Sequence, residues 1–299
     1  MNKYEAVLEE FIADNNITTD NVDHKLKEIG FVSFFNFFTS KCCKKIDFFP
    51  EVEKTKNKPT SALTYLSKYA SENLISNFET LTLNSLYLGV IVNGHLKFNF
   101  ENYDYFLKEI YQLRKTIRSK IKLNSLTKDD TDKNLLLLKC YLIKAYINTI
   151  YGMLDNSESI ILTNVESPRE YVTETVKLVM LNISSILLNN HISIYYIDTD
   201  EFFISELDSD FAEKISMDYE NINKSLIDTN ISEIFIESQN EHAYFFSKKN
   251  FMRFDKNTCT IKGKVKLVNN EHVLNDNKSF FGNNFKEIFP EYAICGYNK

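Results

Sequence analysis

The sequence predicts an α+β protein in which an antiparallel sheet carries helices on one face. The sheet is predicted by two apolar, aromatic-rich runs that flank Asp198-Thr199-Asp200 within residues 192–204, the pattern of a β-hairpin. The helices are predicted by apolar residues that recur at helical spacing. These helices span residues 103–122, 134–153 and 168–189.

The composition excludes several classes of protein. With 299 residues, 43% of them hydrophobic and 14% aromatic, the chain can fold around one large core or two to three subdomains. No apolar run approaches the roughly 18 residues of a membrane span, and the first residues lack the layout of a signal peptide. Five cysteines fit neither a disulfide framework nor a zinc-binding spacing. We therefore expect a reduced, intracellular protein without a membrane partner, in the cytoplasm or, if viral, the host cytoplasm.

Residues 1–79 are expected to form a helical N-terminal region, since apolar residues recur at helical spacing from Tyr4 to Phe11. No chemistry is predicted in this region. Residues 81–92 then give a strand, a tight turn at Asn84-Ser85 and a return to apolar sequence.

Asp198 and Asp200 lie at or near the turn of the predicted hairpin. Two carboxylates this close repel each other unless a cation lies between them, so the turn is a candidate divalent-metal site. The alternative is an ordinary surface turn, because aspartate favours turns by bonding its own backbone.

A basic face is predicted on two consecutive helices that a polar loop joins into an antiparallel hairpin. Arg114 and Arg118 share a face of the first helix, and Lys144, Asn148 and Tyr151 share a face of the second. If Arg114, Arg118 and Lys144 converge, they form a clamp for a polyphosphate. The alternative is a solvated basic face. The net charge of −6 argues against non-specific coating of nucleic acid but allows a local basic groove.

The second half of the chain begins with a helix-start signature at Ser167-Pro168, followed by Glu170. This signature predicts that the helix over 168–189 leads into the hairpin. A further helix is predicted at 208–230. Further strands are predicted at 231–237, 242–247 and 261–265.

Several motifs, in order, resemble those of family B DNA polymerases. They are Asn84-Ser85-Leu86-Tyr87, Lys144-x-x-x-Asn148-Thr149-x-Tyr151-Gly152, Tyr196-x-Asp198-Thr199-Asp200 and Lys248-Lys249-x-Phe251, which resemble motif A, motif B, motif C and the Lys-Lys-x-Tyr element. Gln112-x-Arg114-Lys115-x-x-Arg118 resembles the triphosphate-binding finger helix, and Ile261-Lys262-Gly263 resembles a short strand motif. The form of motif A is most similar to the protein-primed branch of phages and linear plasmids. The resemblance covers about residues 80–266.

The resemblance implies a polymerase palm with an inserted two-helix fingers element, and DNA-templated DNA synthesis in viral or plasmid replication. Primer-template DNA and deoxynucleoside triphosphates are then the expected partners. In this family two Mg²⁺ (or Mn²⁺) ions about 4 Å apart stabilise the attacking and leaving oxygens of phosphoryl transfer. Motif C would supply the catalytic carboxylates, with Asp200 as a metal ligand and Asp198 in support.

Motif A departs from the family pattern, because Thr82 occupies the position of its metal-binding aspartate. A neutral hydroxyl brings no charge, and Mg²⁺ prefers anionic oxygens, so activity is expected to fall by orders of magnitude. Glu79 has the wrong strand parity to substitute for the aspartate. Glu201 could supply a replacement carboxylate, although it would have to point to the face opposite Asp200.

The resemblance also implies the remaining roles, residue by residue. Tyr87 would stack under the incoming sugar and exclude a 2′-hydroxyl. The triphosphate would be bound by Arg114, Arg118 and Lys144. The nascent base pair would be lined by Asn148 and Tyr151. The DNA would be contacted at Gly152, Lys248, Lys249 and Phe251, through contacts that position rather than specify it.

The implied domains are a helical N-terminal region at 1–79, a palm at 80–102 and 154–268, fingers at 103–153, and a tail or vestigial thumb at 269–299. The first region is too short for the 3′–5′ exonuclease domain that the family usually carries, and the last is too short for a full thumb. A palm and fingers without a thumb should hold DNA weakly, because fewer phosphate contacts release fewer counterions. We therefore expect a partner polypeptide that supplies the exonuclease, the thumb or both.

Two functions stay open from the sequence. The retained Asp198, Asp200 and Lys144 favour an active DNA polymerase subunit, in other words a nucleotidyltransferase. Thr82 and the missing thumb favour a catalytically impaired, polymerase-like protein that binds DNA or assists replication. An unrelated α+β protein with coincidental motifs is the remote third alternative.

Overall fold

The structure is a computed structural model that describes residues 2–49, 61–124, 130–254, 259–262, 265–268 and 271–274. Within these ranges the chain forms helices and an antiparallel sheet, which confirms the predicted α+β fold class. The chain divides into two compact units. The helical unit comprises Met1–Thr60, Ser85–Val176 and Lys224–Ser232, and the sheet unit comprises Ser61–Asn84, Lys177–Asn223 and Glu233–Lys299.

The secondary-structure elements of the described ranges are numbered in chain order. The helices are α1 (Lys3–Asp14), α2 (Val22–Ile29), α3 (Phe31–Cys42), α4 (Lys68–Glu72), α5 (Leu86–Ile91), α6 (Tyr103–Asn124), α7 (Asp130–Met153), α8 (Pro168–Asn189) and α9 (Ser209–Asn223). The strands are β1 (Thr64–Leu66), β2 (Ile75–Asn84), β3 (Ile194–Asp198), β4 (Glu201–Ile204), β5 (Glu233–Ser247), β6 (Asn250–Phe254), β7 (Cys259–Lys262), β8 (Val265–Val268) and β9 (Glu271–Leu274).

Helix α1 shows why the N-terminal segment is helical. Asn2 caps the helix, since its side-chain oxygen accepts a hydrogen bond from the Tyr4 N–H at 3.1 Å. Tyr4, Leu8 and Phe11 recur at i, i+4 and i+7, and all three are buried. The Phe11 ring packs on Phe34 of α3 with ring centroids 4.7 Å apart. The apolar face of α1 therefore forms part of the core of the helical unit.

A chain of hydroxyl groups crosses this core. It runs from Thr39 through Tyr146 to Tyr103, with O···O distances of 2.7 and 2.8 Å. Phe35 stacks on the Tyr146 ring, with ring centroids 4.8 Å apart. Burial raises the pKa of the Tyr146 hydroxyl well above its usual value, so the chain stays neutral.

A buried ion triad ties α1 to α7. The Lys139 side chain is only 5% exposed and lies 2.9 Å from Glu5 and 2.5 Å from Glu9. Burial lowers the pKa of Lys139, but its hydrogen bonds to Glu9 and Glu5 outweigh burial and raise the pKa above its ordinary value. The N-terminal helix is thereby joined to the helix that carries the motif B residues.

The main sheet has the strand order β1-β3-β4-β2-β5-β6-β7, and neighbouring strands are antiparallel. Strands β8 and β9 form a separate two-stranded sheet. A cluster of rings forms a core of the sheet unit, with Phe203 at its centre. The Phe203 ring lies 5.3 Å from the rings of Phe78, Phe245 and Phe251, and 5.8 Å from that of Tyr196.

The structure differs from the sequence-based elements in several places. The strand predicted at 231–237 begins only at Glu233, and residues 233–237 and 242–247 belong to one continuous strand, β5, because the polar residues between them continue to pair with β2 across a bulge. Of the strand predicted at 261–265, Ile261 and Lys262 lie in β7 and Val265 begins β8, while residues 263–264 lie outside the described part of the chain. Strand β1 and the start of β2 lie within the region predicted to be helical. The helix predicted to reach residue 230 ends at Asn223.

The domain boundaries drawn from the resemblance stay predictions. The last predicted domain is the tail or vestigial thumb at 269–299. Of this range the structure describes only β9, and residues 269–270 and 275–299 lie outside the described part of the chain.

Helix α8 is the single helix in the described ranges whose length and composition would suit a membrane crossing. Within its most apolar 18-residue window, 44% is buried inside the protein. Core helices of soluble proteins meet the same criteria, so α8 gives only weak support for a membrane span. The sequence pattern predicts this helix but does not predict a membrane span, because Glu174 and Lys177 interrupt its apolar residues.

Candidate functional site

The Asp198-Thr199-Asp200 segment forms the tip of the hairpin between β3 and β4, where the sequence predicts it. The Asp200 N–H donates to the Asp198 carbonyl at 2.8 Å, which closes a three-residue γ-turn around Thr199. Thr199 has a φ of +67°, which β-branched residues rarely adopt. Backbone strain of this kind persists only where the surrounding structure imposes it, and it concentrates at functional sites.

Two backbone hydrogen bonds hold the strained turn in place. The Thr199 N–H donates to the Leu63 carbonyl at 3.0 Å, just before β1. The Leu83 N–H donates to the Asp200 carbonyl at 2.8 Å, near the end of β2. The turn is therefore fixed from both sides by neighbouring segments of the sheet unit.

The two carboxylates of the turn have different surroundings. Asp198 is 4% exposed, and its Oδ1 accepts a hydrogen bond from the Thr199 hydroxyl at 3.2 Å. Asp200 is half-buried and is the more accessible of the two. This difference suits the implied division of roles, in which Asp200 binds a ligand and Asp198 supports the turn.

Strand register places Glu201 beside the motif A position. Glu201 of β4 pairs directly with Thr82 of β2 on one side and with Asp198 of β3 on the other. Side chains of directly paired residues point to the same face, so Thr82, Glu201 and Asp198 form one cross-strand row. Glu79 pairs with Ile204 and lies at odd spacing from Thr82, so it points to the other face. Thr199 and Asp200 form the tip between the paired residues Asp198 and Glu201. The side chain of Glu201 therefore points to the same face of the sheet as that of Asp198.

The donor set fits a divalent metal only in part. Within the described ranges, no three His, Cys, Asp or Glu side chains are grouped so that they could hold a metal ion by themselves. Mg²⁺ in nucleotide enzymes is commonly held by one or two carboxylates together with substrate phosphates. Asp198 and Asp200 could provide these carboxylates. A second ion bridged by a carboxylate of β2 does not fit, because Thr82 is neutral.

Helix α5 is held in place by close backbone contacts within the helical unit. Ser85 has left-handed φ and ψ of 57° and 29° and ends the strand that precedes α5. A Cβ on Gly89 would lie 2.8 Å from the Ser232 Cβ, so only glycine allows this approach. The Asp228 N–H donates to the Gly89 carbonyl at 3.0 Å. These contacts fix the helix that carries Tyr87.

The structure brings two of the predicted nucleotide-site residues together. The rings of Tyr87 on α5 and Tyr151 on α7 lie 5.0 Å apart at 73°, an edge-to-face arrangement. Both side chains are half-buried. Part of each side chain is therefore exposed to solvent.

The predicted polyphosphate residues lie on α6 and α7, which pack against each other. Arg114 is half-buried, whereas Arg118, Lys144 and Asn148 are exposed. Among the residues described, the buried Nε of Arg114 has no hydrogen-bond partner. At Gly152 a Cβ would meet nothing within 4 Å, so packing within the protein does not require glycine there.

The residues of the Lys-Lys-x-Tyr element occupy two environments. Lys248 and Lys249 are exposed at the turn between β5 and β6, and the Lys249 N–H donates to the Tyr196 hydroxyl at 2.7 Å. Phe251 is 4% exposed and packs in the ring cluster around Phe203. Its ring therefore supports the lysine-bearing turn from the inside, and contact with DNA would require the cluster to open.

Sequence reasoning misses two residues that contact Tyr151. Arg169 and Thr173 lie on the first turns of α8, and both touch Tyr151 from there. Arg169 belongs to the Ser-Pro-Arg-Glu segment, which the sequence marks only as the start of a helix. No spacing rule connects residues 18 positions apart across a loop, so only the fold reveals the contact.

No protein-family model matches this chain, and no curated protein matches it by sequence. Among solved structures, the fold is similar to that of the family B DNA polymerase from the hyperthermophilic archaeon Pyrobaculum calidifontis. The TM-score is 0.50 and the sequence identity is 15%, over 78% of this chain and 33% of that chain. The present chain thus corresponds to about a third of that polymerase, and the likeness is one of fold.

Proposed function

We propose that the chain is the palm-and-fingers portion of a DNA-templated DNA polymerase that acts in replication. The observation that carries this proposal is the strained turn at Asp198-Thr199-Asp200, anchored on both sides within the antiparallel sheet. The similarity of the fold to a family B DNA polymerase supports it. The form of motif A favours the protein-primed branch of that family.

In the proposed reaction, the 3′-oxygen of a primer bonds to the α-phosphorus of a deoxynucleoside triphosphate, and the bond from that phosphorus to the β-phosphate oxygen breaks. Pyrophosphate leaves, and the primer hydroxyl loses its proton. Mg²⁺ or Mn²⁺, when bound, would neutralise charge on the phosphate oxygens. Asp200, supported by Asp198, would hold the ion together with the phosphates. Arg114, Arg118 and Lys144 would bind the triphosphate, because guanidinium and ammonium groups suit phosphate oxygens.

The other proposed roles are those that the resemblance implies. The Tyr87–Tyr151 pair would contact the sugar and the new base pair, together with Asn148. The exposed Lys248 and Lys249 would hold the DNA backbone. We also propose, as the resemblance implies, that a partner polypeptide supplies thumb or exonuclease functions.

Primer extension on a labelled primer-template, with Mg²⁺ or Mn²⁺, tests the proposal. We expect the wild-type chain to add deoxynucleotides, and Asp200→Ala to reduce the rate at least about a hundredfold, the size expected for losing a metal-binding carboxylate. Asp208→Ala is the matched control, since Asp208 is an exposed carboxylate in the same unit. Incorporation that survives Asp200→Ala would contradict the proposed site.

Thr82 favours a second candidate function, a polymerase-like protein that binds DNA without efficient synthesis. A neutral residue opposite Glu201 leaves β2 without a carboxylate for a bridged ion. In this case the wild-type chain binds primer-template, measured by fluorescence anisotropy, but adds no nucleotide. Replacing both Lys248 and Lys249 with Met should then weaken binding and reduce the slope of log affinity against log salt by about 2.

A further inference from the structure

We infer that Arg169 is a positioning residue that holds the Tyr151 ring against Tyr87. The inference deepens the proposed function and rests on it, because the Tyr87–Tyr151 pair is the surface that would meet the sugar of the incoming nucleotide. Arg169 and Thr173 are four residues apart on α8, so they lie on one face of the helix.

The hydroxyl of Tyr151 is fixed in direction by Thr173. The Thr173 hydroxyl donates its one proton to the Arg169 carbonyl at 2.8 Å. It therefore accepts at the second contact, where the Tyr151 hydroxyl lies 2.6 Å away and must be the donor. Thr173 is 1% exposed, so this hydrogen bond is sheltered from water.

The face of the Tyr151 ring is covered by the guanidinium group of Arg169, whose central carbon lies 5.0 Å from the ring centroid. This is the geometry of a cation–π contact. In the part of the chain that the structure describes, the buried Nε of Arg169 has no hydrogen-bond partner. The backbone N–H of Arg169, which is separate from the guanidinium group, donates to Asp155 Oδ1 at 3.5 Å at the start of α8. The ring of Tyr151 is thus the best-defined contact of this guanidinium.

Three contacts therefore restrain Tyr151: Thr173 at its hydroxyl, Arg169 on its face and Tyr87 at its edge. Tyr87 is attached to a helix that is itself fixed through Gly89. In the proposed function, a Tyr151 ring free to rotate would change how closely the Tyr87–Tyr151 pair contacts the sugar. Loss of the Arg169 contact should therefore reduce discrimination between deoxyribose and ribose, in addition to the rate.

The test compares Arg169→Met, which keeps an apolar stem, with Arg169→Lys, which keeps a cation for the ring. We expect Arg169→Met to lower the ratio of kcat/KM for deoxynucleotide over ribonucleotide about tenfold, and Arg169→Lys to retain most of the ratio. Lys27→Met, at an exposed cation of α2, is the control and should leave the ratio unchanged.

A double-mutant cycle with Tyr151→Leu separates positioning from a general structural effect. If Arg169 acts through the Tyr151 ring, adding Arg169→Met to Tyr151→Leu should change the ratio of kcat/KM for deoxynucleotide over ribonucleotide less than about twofold. An equal effect in both backgrounds, or an unchanged ratio in Arg169→Met, would overturn the inference.

A readout without catalysis separates failure of this inference from failure of the proposed function. With 3-fluorotyrosine placed at position 87, the ¹⁹F resonance should shift in Arg169→Met and stay in place in Lys27→Met. If the wild-type chain adds no nucleotide, the proposed function fails, and this resonance alone decides the positioning role. A position-87 signal that is identical in wild type and Arg169→Met would overturn it.

Discussion

Both units of the molecule pack aromatic rings in their interiors, but the helical unit also contains a buried chain of hydroxyl groups and a buried ion triad. The helical unit buries polar groups, namely the hydroxyls of Thr39, Tyr146 and Tyr103 and the ammonium group of Lys139. The sheet unit has at its centre a cluster of rings around Phe203. Buried polar groups cost free energy unless each is paired, so they fix one arrangement of helices. Packed rings contribute stability through burial, which can sustain the strained turn at Thr199.

The largest expected effect breaks the ring cluster. Phe203→Ala should lower the free energy of unfolding by about 4 kcal/mol, because it removes a fully buried ring and leaves a cavity among four other rings. Urea denaturation followed by circular dichroism measures the change. Phe235→Ala is the matched control on β5, where the ring is 50% exposed, and it should cost less than about 1 kcal/mol. Equal losses for both variants would show that the cluster is not the centre of the unit.

A smaller effect is expected for the buried triad of the helical unit. Lys139→Met should lower the free energy of unfolding by about 3 kcal/mol, because it leaves Glu5 and Glu9 without their buried cation. Lys41→Met breaks an ion pair with Glu10 whose side chains are 47% and 42% exposed, so it should destabilise the protein much less than Lys139→Met. The same denaturation experiment compares them. If Lys41→Met were as costly as Lys139→Met, burial of the triad would not be the reason.

Alkaline pH should weaken the helical unit. Burial raises the pKa of the Cys42 and Cys43 thiols to about 12, and it also raises the pKa of the Tyr146 hydroxyl well above its usual value. The folded state holds these protons more tightly than the unfolded state, so stability is full below the ordinary thiol value near 8.5 and falls as pH rises toward 12. We expect the free energy of unfolding to fall progressively between pH 8 and pH 10.

Replacing both cysteines with Ala tests the origin of this pH dependence. The double variant should show a flatter profile of unfolding free energy over the same interval, measured by urea titration at each pH. A profile as steep as that of the wild type would assign the loss to other groups.

Local signals in the sequence predict the long elements well. Helix α8 spans Pro168–Asn189, the predicted 168–189, because Ser167 and Pro168 mark its start chemically. The hairpin that carries Asp198 and Asp200 also lies where its aromatic runs predict. In both cases the determining residues are adjacent in sequence.

Features that depend on partners distant in sequence could not be predicted. The polar middle of β5 reads as a break, yet pairing of Gln239 with Phe78 of β2 keeps it in the sheet. Alternation along a single strand predicts that the Glu201 side chain points to the face opposite Asp200. The γ-turn at Thr199 interrupts this alternation, and Glu201 pairs with Thr82 on the neighbouring strand. Neither effect is visible in the spacing of residues along one strand.

The central claim, that the hairpin of Asp198 and Asp200 is a nucleotidyl-transfer site, is tested most directly by restoring a carboxylate on β2. Single-nucleotide incorporation should be compared for wild type, Thr82→Asp and the neutral control Thr82→Asn. If the hairpin is such a site, the incorporation rate of Thr82→Asp is at least about tenfold higher than that of Thr82→Asn. This gain disappears when Asp200→Ala is added. Equal rates for Thr82→Asp and Thr82→Asn, or a gain that persists without Asp200, would contradict the claim.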